Sequence, residues 1–301
     1  MTDHRLTDEA QAFRHTTRRE RLIERILLAA AGLSATVVVA IFSMLAWFCL
    51  PLFTEHRLAA VLSWRWDPIH QHFGILPMLL TSCLLTILAL CIAFPLTLGI
   101  CSLLHGTLRN GALRRGLLFL VHFMTGIPTV IYGFVSVFVL VPLLRWMFET
   151  GTGFSLLTAG LTLSVLILPT MVLVLHAELD QAERRYRLTA EALGFSPEQT
   201  MRTVLLPASR RALVVTVLLG MGRAVGDTLV SLMVAGNAAQ VPHSLFDSVR
   251  TLTAHIALVL ATDSHGMAYP SVFAAGLFLF LLMSCFQGFL RFWARHGTSV
   301  K

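Results

Sequence analysis

Charged side chains are scarce in this 301-residue chain: Asp, Glu, Lys and Arg together supply 13% of it, about half the share usual in soluble domains. Lysine is nearly absent, and its one instance is the terminal Lys301. A GxxxxGK[ST] phosphate loop therefore cannot be built, so any use of ATP must come from a partner. Neither HExxH nor GxSxG occurs, which removes the signatures of a zinc peptidase and of a nucleophile-elbow hydrolase. Cysteine is limited to Cys49, Cys83, Cys91, Cys101 and Cys285, none of them paired as CxxC. All five sit inside apolar runs, where a thiol behaves as a small hydrophobe, so neither a disulfide nor a metal site is expected. Residues 1–25 are polar and mixed in charge, without the short apolar stretch and small-residue cleavage site of a signal peptide.

What fills the chain instead is apolar surface, 56% of residues, with a mean hydropathy of +0.75. A helix needs about 20 apolar residues to cross the hydrocarbon core of a bilayer. Six stretches meet that length, roughly 26–52, 76–104, 116–147, 154–178, 208–236 and 270–292. The expected fold class is all-α, an integral membrane protein with six transmembrane helices. Gly126-Ile127-Pro128 interrupts the third stretch, so a bend or a partly interfacial opening turn is expected there. Pro95 and Pro169 lie within the second and fourth, where neighbouring helices must satisfy the freed carbonyls. No fixed-period repeat or low-complexity linker divides the chain. It reads as a cytoplasmic tail at 1–25, a first helix with its external loop at 26–75, a membrane core at 76–295 and a cytoplasmic tail at 296–301.

Basic residues exceed acidic ones by 23 to 16, a formal charge of +7. A nucleic-acid binder would spread such an excess over one soluble face. Here it gathers in short clusters between apolar runs, the pattern of membrane orientation, and no nucleic-acid partner is expected. Eighteen Lys and Arg fall on the side of the two termini, the 105–115 loop and the 179–211 region, against four on the other side. That asymmetry puts both termini in the cytoplasm. The segment SLFDSVRTLTAHIALVL, at 244–260, is helix-like but carries Asp247, Arg250 and His255. A seventh crossing would send the basic C-terminal tail outside, so an external helix or a shallow re-entrant element is expected.

Between the fourth and fifth runs lies HAELDQAERRYRLTAEALGFSPEQTMRTVLLPASRR, too polar for lipid yet rich in helix-forming residues. Gly194 closes a helix-like run, and Ser196-Pro197-Glu198 fits the start of the next helix. Two helices joined at a glycine on the cytoplasmic face make either a solvated loop or a docking element for a soluble partner. The spacing resembles the cytoplasmic EAA loop of ABC importer permeases: Glu-Ala-Ala, three residues, Gly, nine residues, Ile, one residue, Leu-Pro. Aligned on Gly194, nine residues lead to Val204, then Leu205 and Leu206-Pro207. The departure is at the front, where Leu188-Thr189-Ala190 stands for Glu-Ala-Ala. Glu191, one turn along, is expected to replace part of the missing charge. The resemblance implies that Ala190, Glu191, Gly194, Val204, Leu206 and Pro207, within a coupling loop at 183–207, join the chain to an ATPase.

The resemblance runs further. WDPIHQHFGILPMLL from Trp66, TGIPTVIYGFVSVFVLVPLL from Thr125, ILPTMVLVL from Ile167, GRAVGDTLVSLMVAGN from Gly222 and SVRTLTAHIAL from Ser248 are similar to segments of phosphate-specific (Pst-type) ABC permeases. They are nearer the PstC-type subunit than the PstA-type, and they cover most of residues 64–290. This implies a type I ABC importer permease fold working by alternating access. It also implies a second permease subunit (a PstA-like chain or a copy), two ATPase subunits that bind ATP and Mg, and a periplasmic or lipid-anchored phosphate-binding protein. Membrane lipids would surround the helices.

Arg223 and Asp227 occupy the fifth run at a spacing of four, which puts them on one helix face, close enough to interact. Charges at such depth are costly and face a bundle interior or a water-filled cavity. Gly220, Gly222 and Gly226 would let another helix or a passing anion come close. Two readings stand: a structural ion pair, or an anion-handling Arg that the carboxylate positions. The resemblance favours the second, since Pst permeases carry Arg and usually Glu at these places; Thr228 is counted with them on the substrate path. Weaker candidates are His122 and Thr125 near the Gly126–Pro128 break, and His56, His70 and His72, whose spacing fits no zinc motif. Tyr132, Gly133 and Ser136 form a helix-packing face. The expected function is the permease subunit of an ATP-driven phosphate importer, not itself an enzyme. The alternatives are a permease for molybdate, tungstate or sulfate, and a non-transporting membrane sensor or scaffold of the same fold.

Overall fold

The structure, a computed structural model, describes residues 3–54, 61–70, 72–108, 111–149, 151–262 and 269–296. His56 and the tail beyond His296 lie outside the described residues. The chain falls into two units, Met1–Pro51 and Leu52–Lys301. The first is made by helix α1 (Asp3–Thr54), which continues unbroken through the boundary expected near residue 25. Side chains from Glu20 to Met44 are exposed. An apolar stretch of 31 residues, Glu20–Leu50, exposed over most of its length, is long enough to cross a bilayer.

The second unit opens with a two-residue hairpin, β1 (Trp66–Asp67) antiparallel to β2 (His72–Phe73). Helix α2 (Leu76–Ser102) follows and widens into a π-helical turn at Leu103–Thr107. Helix α3 (Ala112–Gly126) stops because Ile127 is extended, at φ −76 and ψ 123; the proline after it disfavours the helical conformation. Tyr132 donates a 2.7 Å hydrogen bond across that break to the Met124 carbonyl. Helix α4 (Thr129–Val135), a π-helical turn at Ser136–Leu140 and α5 (Val141–Phe148) then form one apolar span. The third expected crossing is thus divided. At 15 residues α3 is about 22 Å long, short of a core of about 30 Å, and the crossing begins at Thr129.

Helix α6 (Leu156–Ala192) leads through α7 (Pro197–Thr200), a π-helical turn (Met201–Leu205) and α8 (Leu206–Ala208) to α9 (Arg210–Gly226). The short helices α10 (Leu229–Val234) and α11 (Leu252–Thr262) precede the final α12 (Tyr269–His296). Among the described residues five helical stretches are long and apolar enough to cross a membrane, and a sixth if Pro197–Ala208 and Arg210–Gly226, bent by 74°, count as one.

The core lies where α2, α6 and α9 meet. Leu85, Ala89 and Ala93 of α2 pack with Leu163, Leu166, Ile167 and Met171 of α6 and Ala224 of α9. In lipid no hydrophobic gain drives helix onto helix, so close approach and dispersion must do so. The small residues allow it: a Cβ on Gly160 would stand 2.5 Å from Leu88 Cδ2, and one on Gly220 2.6 Å from Met171 Sδ. A second cluster joins Cys101, Val172, Leu175 and Leu179 to Met201, Leu205 and Ala212. It fixes the segment after α6 against the helices above it.

Only part of the 244–260 segment is helical. With 11 residues α11 is about 16 Å long and cannot cross; its Leu252, Ala254 and His255 are buried inside the unit. That matches a re-entrant element better than an external surface helix. The loop before it is tied down. Val249 N–H donates to Ala235 O at 2.8 Å and Asn237 N–H to Val249 O at 3.0 Å. The end of α10 and this loop also cap α6, whose first N–H groups have no helical acceptor: Ser155 donates to the Val234 carbonyl of α10 at 3.1 Å, and Leu156 and Leu157 to the Asp247 and Leu245 carbonyls of the loop at 3.0 and 2.8 Å.

Candidate functional site

At the far end of α6 the chain turns on Gly194, whose φ is +74. Phe195 N–H donates to Ala190 O and Gly194 N–H to Glu191 O, each at 3.0 Å. These are the two bonds of a Schellman cap, which requires a left-handed residue between them. Ser196 then starts α7 with a capping box: its hydroxyl accepts from Gln199 N–H at 3.2 Å while Gln199 Oε1 accepts from Ser196 N–H at 2.9 Å. Two reciprocal bonds of this kind, with Pro197 preset for the first turn, fix the corner. Ala190 and Leu205 are buried, Val204 and Leu206 half-buried, and Gly194 and Pro207 exposed. Leu188 stands 79% exposed. Glu191 does not offer the spare charge expected of it, because Arg187 Nε, one turn back, donates to its carboxylate at 2.9 Å.

The second cluster lies in the fifth apolar run. Helix α9 ends at Gly226, and Asp227 is extended, at φ −78 and ψ 123. The Asp227 carboxylate accepts Val230 N–H at 2.8 Å, the bond of a residue capping the first turn of α10. Arg223 and Asp227 therefore do not form the helical pair that their spacing suggested, and among the described residues no ion pair joins them. The break swings Asp227 off the helix and spends its oxygen on the backbone. Thr253 Oγ1 and Ser231 Oγ donate to the Asp227 carbonyl at 3.2 and 3.4 Å, which satisfies the group freed by the break. Thr228, half-buried, accepts at its own carbonyl from Ser231 Oγ at 3.0 Å. Ser82 Oγ takes Leu252 N–H at 2.8 Å, stitching α11 to α2.

Arg223 itself is exposed. A Cβ on Gly226 would meet nothing within 4 Å, and one on Gly222 only Met283 Cε at 3.8 Å. Of the three glycines, Gly220 serves packing inside the chain, and the other two leave open surface on the Arg223 helix. That is a guanidinium presented beside a helix break, with no carboxylate on it.

Among the weaker candidates, His122 bonds the Leu118 carbonyl one turn back and Thr125 the His122 carbonyl, so both serve their own helix. Gly133 faces Met233, and Ser136 Oγ accepts from Thr162 at 2.8 Å, as a packing face requires. His70 pairs with Asp67 at 2.6 Å, and this bond holds the Asp67 carboxyl below the usual carboxylate range. No metal-binding group of three donors occurs among the described residues.

One polar cluster escaped the sequence. His105 in the π-helical turn after α2 is buried, with Nδ1 2.6 Å from Glu183 Oε2 and Nε2 2.8 Å from His176 Nδ1. It ties the end of α2 to two turns of α6 just before the Gly194 corner. The three residues lie 71 and 78 positions apart, so no local pattern signals them.

Comparison with known proteins gives the family and the fold. Residues 95–296 match the family model described as binding-protein-dependent transport system inner membrane component. Over 233 residues the chain is 34% identical to a probable ABC transporter permease protein, YqgH, of Bacillus subtilis, covering 76% of this chain and 75% of that one. It is 29% identical over 289 residues to the phosphate transport system permease protein PstC of Haemophilus influenzae, covering 90% and 88%. Among solved structures, a bacterial ABC transporter that imports the acidic polysaccharide alginate matches with a TM-score of 0.59 at 16% identity. That match covers 94% of this chain and 100% of the other; at such identity it speaks for the fold.

Proposed function

The chain belongs to the binding-protein-dependent transport system inner membrane components, the permease subunits of ABC importers, and we propose that the anion it passes is inorganic phosphate. It is a multi-pass membrane subunit and not itself an enzyme, and it works with other components of such an importer. In this reading a second permease pairs with it, two ATPase subunits hold ATP and Mg, and a binding protein delivers the anion from outside. Both termini face the cytoplasm, as the eighteen-to-four basic asymmetry argues.

The observation that carries the substrate reading is the state of Arg223: exposed, beside a helix break, with no acidic side chain bonded to it. A planar guanidinium offers two parallel N–H donors to two oxygens of a tetrahedral anion. Asp227 Oδ2 accepts Val230 N–H, and among the described residues no ion pair joins that carboxylate to Arg223. The relatives named as phosphate permeases support phosphate over another oxyanion. Closure of the ATPases, pulling on the 183–207 corner, would alternate access on either side of Arg223.

The test is phosphate-stimulated ATP hydrolysis and phosphate uptake by the complete reconstituted complex. Arg223→Gln should assemble with its ATPases and lose transport, and Arg223→Lys should keep only part of it. Molybdate, tungstate and sulfate should compete poorly. Near-normal phosphate uptake by Arg223→Gln would end the assignment.

A further inference from the structure

Helix α9 keeps one face packed and one face open along its length. Ala212, Thr216, Gly220 and Ala224 are buried, whereas Arg211, Val215, Leu219 and Arg223, each four residues from the next, are exposed. Side chains at that spacing follow one stripe of a helix. Packing against α6 sets the level of the stripe. A Cβ on Gly220 would meet Met171 Sδ at 2.6 Å, and Met171 stands about 22 Å along α6 from Leu156. Arg223, three residues on, is therefore inside a hydrocarbon layer of about 30 Å, where a guanidinium faces a water-filled path and not lipid. Arg211, nine residues back from Gly220, comes about 36 Å along the same axis. That is past the hydrocarbon and among the headgroups.

At that level a cleft of about 540 Å³ separates α6 from the start of α9, with Glu178, Arg184, Arg185 and Tyr186 on one wall and Ser209 and Arg211 on the other. Arg184 is held by Asp180 at 2.9 Å. Neither Arg185 nor Arg211 forms an ion pair among the described residues, and Arg185 Cζ lies 5.7 Å from the centroid of the Tyr186 ring. The 74° bend before Arg210 starts α9 afresh at the cleft. Leu213 N–H donates to Ser209 O at 3.1 Å, so the N–H groups of Arg210, Arg211 and Ala212 have no helical acceptor, and the helix dipole adds positive potential there. Ser209 is 7% exposed. Its hydroxyl caps no N–H and makes no hydrogen bond among the described residues. A buried hydroxyl left unpaired is costly, and an oxyanion in the cleft would take it together with the free donors of the helix start.

We propose that this cleft is a second anion station, which takes inorganic phosphate at the cytoplasmic end of the path that Arg223 lines. Arg185 and Arg211 supply the charge, and the Ser209 hydroxyl and the first N–H groups of α9 supply further donors. Val215 and Leu219 offer none, so an anion that leaves Arg223 is next held at Arg211. Filled from the cytoplasm, the same station opposes release, and uptake falls as cytoplasmic phosphate rises. The proposal rests on the reading of Arg223 as part of the phosphate path, and the test separates the two.

In inside-out vesicles holding the complete complex, Ser209→Cys is labelled from the cytoplasmic side with an impermeant thiol reagent, and modification of that position is read by mass spectrometry. Inorganic phosphate should slow the labelling severalfold, and chloride at equal ionic strength should not. Arg185→Gln and Arg211→Gln should each raise the phosphate concentration needed for protection by about tenfold. Arg211→Lys keeps the charge and should retain part of the protection, which separates a lost anion contact from a misfolded chain. Arg223→Gln should abolish uptake and leave protection in place. A position that never labels, labelling that phosphate does not slow, or protection undiminished by Arg211→Gln would overturn the station, even with uptake abolished by Arg223→Gln. Protection by added phosphatidylglycerol and not by inorganic phosphate would overturn it too, and would assign the cleft to a lipid. Protection that persists while Arg223→Gln transports normally would keep the anion site and end the path reading.

Discussion

Gly194 offers a perturbation whose size is set by backbone geometry alone. Its φ is +74, and a Cβ added there would meet nothing within 4 Å. The cost of any side chain is therefore the left-handed conformation itself, about 1–2 kcal/mol for an L-residue, and no neighbour adds to it. What that energy opposes is local: the bonds from Phe195 N–H to Ala190 O and from Gly194 N–H to Glu191 O. A penalty of that size shifts the closed-to-open equilibrium of the corner by about 5- to 30-fold. In Gly194→Ala, hydrogen exchange at the amides of residues 194 and 195 should speed up by that factor, while the amides of α2 and of α6 up to Leu179 are unchanged. Asn tolerates the left-handed region and should cost least; Val, β-branched, should cost most. Uncoupling of ATP hydrolysis from transport should follow the same order. Exchange in Gly194→Ala equal to that of the parent, or Asn as damaging as Val, would refute the conformational argument.

Two further outcomes follow from capping bonds. Asp227→Ala removes the acceptor of Val230 N–H and should lower stability by about 1 kcal/mol, read as a fall in thermal midpoint in detergent; Asp227→Asn keeps an acceptor and should lose little. In the loop before α11, the N–H groups of His243 and Ser244 hold the Asp247 carboxyl below its usual range. A depressed carboxylate stabilises the fold above its unfolded pKa of about 4, and that contribution disappears as pH falls through the lower folded value. The loop should accordingly become more sensitive to limited proteolysis below about pH 4, and Asp247→Asn should show the loosened loop already at neutral pH.

The spans were legible because run length and hydropathy are the signals that a bilayer imposes, and the Gly194 corner because its glycine and the Ser196-Pro197 start are local chemistry. The split of the third run was signalled by Pro128, although where the crossing begins was not. The break at Asp227 was misread for a physical reason. A spacing of four says "same face" only if the helix continues, and Gly226 followed by Asp227 is also the ordinary stop-then-cap signal, which the apolar run around it obscured. Glu191 was expected to replace part of a missing charge; the same four-residue spacing, read backwards, pairs it with Arg187. The bond from His105 to Glu183 could not be read at all, because it exists only once α2 and α6 lie side by side.

The unbroken length of α6 has a mechanical consequence. From its cap under the outer loop to the Gly194 corner it is one piece of 37 residues, a rod of about 55 Å. A rod held near its middle is a seesaw. A rotation of about 10° moves each end by about 5 Å, in opposite directions, for a helix of that length. At one end the carbonyls of Leu245 and Asp247, in the loop before α11, accept N–H groups of this rod, so a tilt driven at the corner would carry that loop the contrary way.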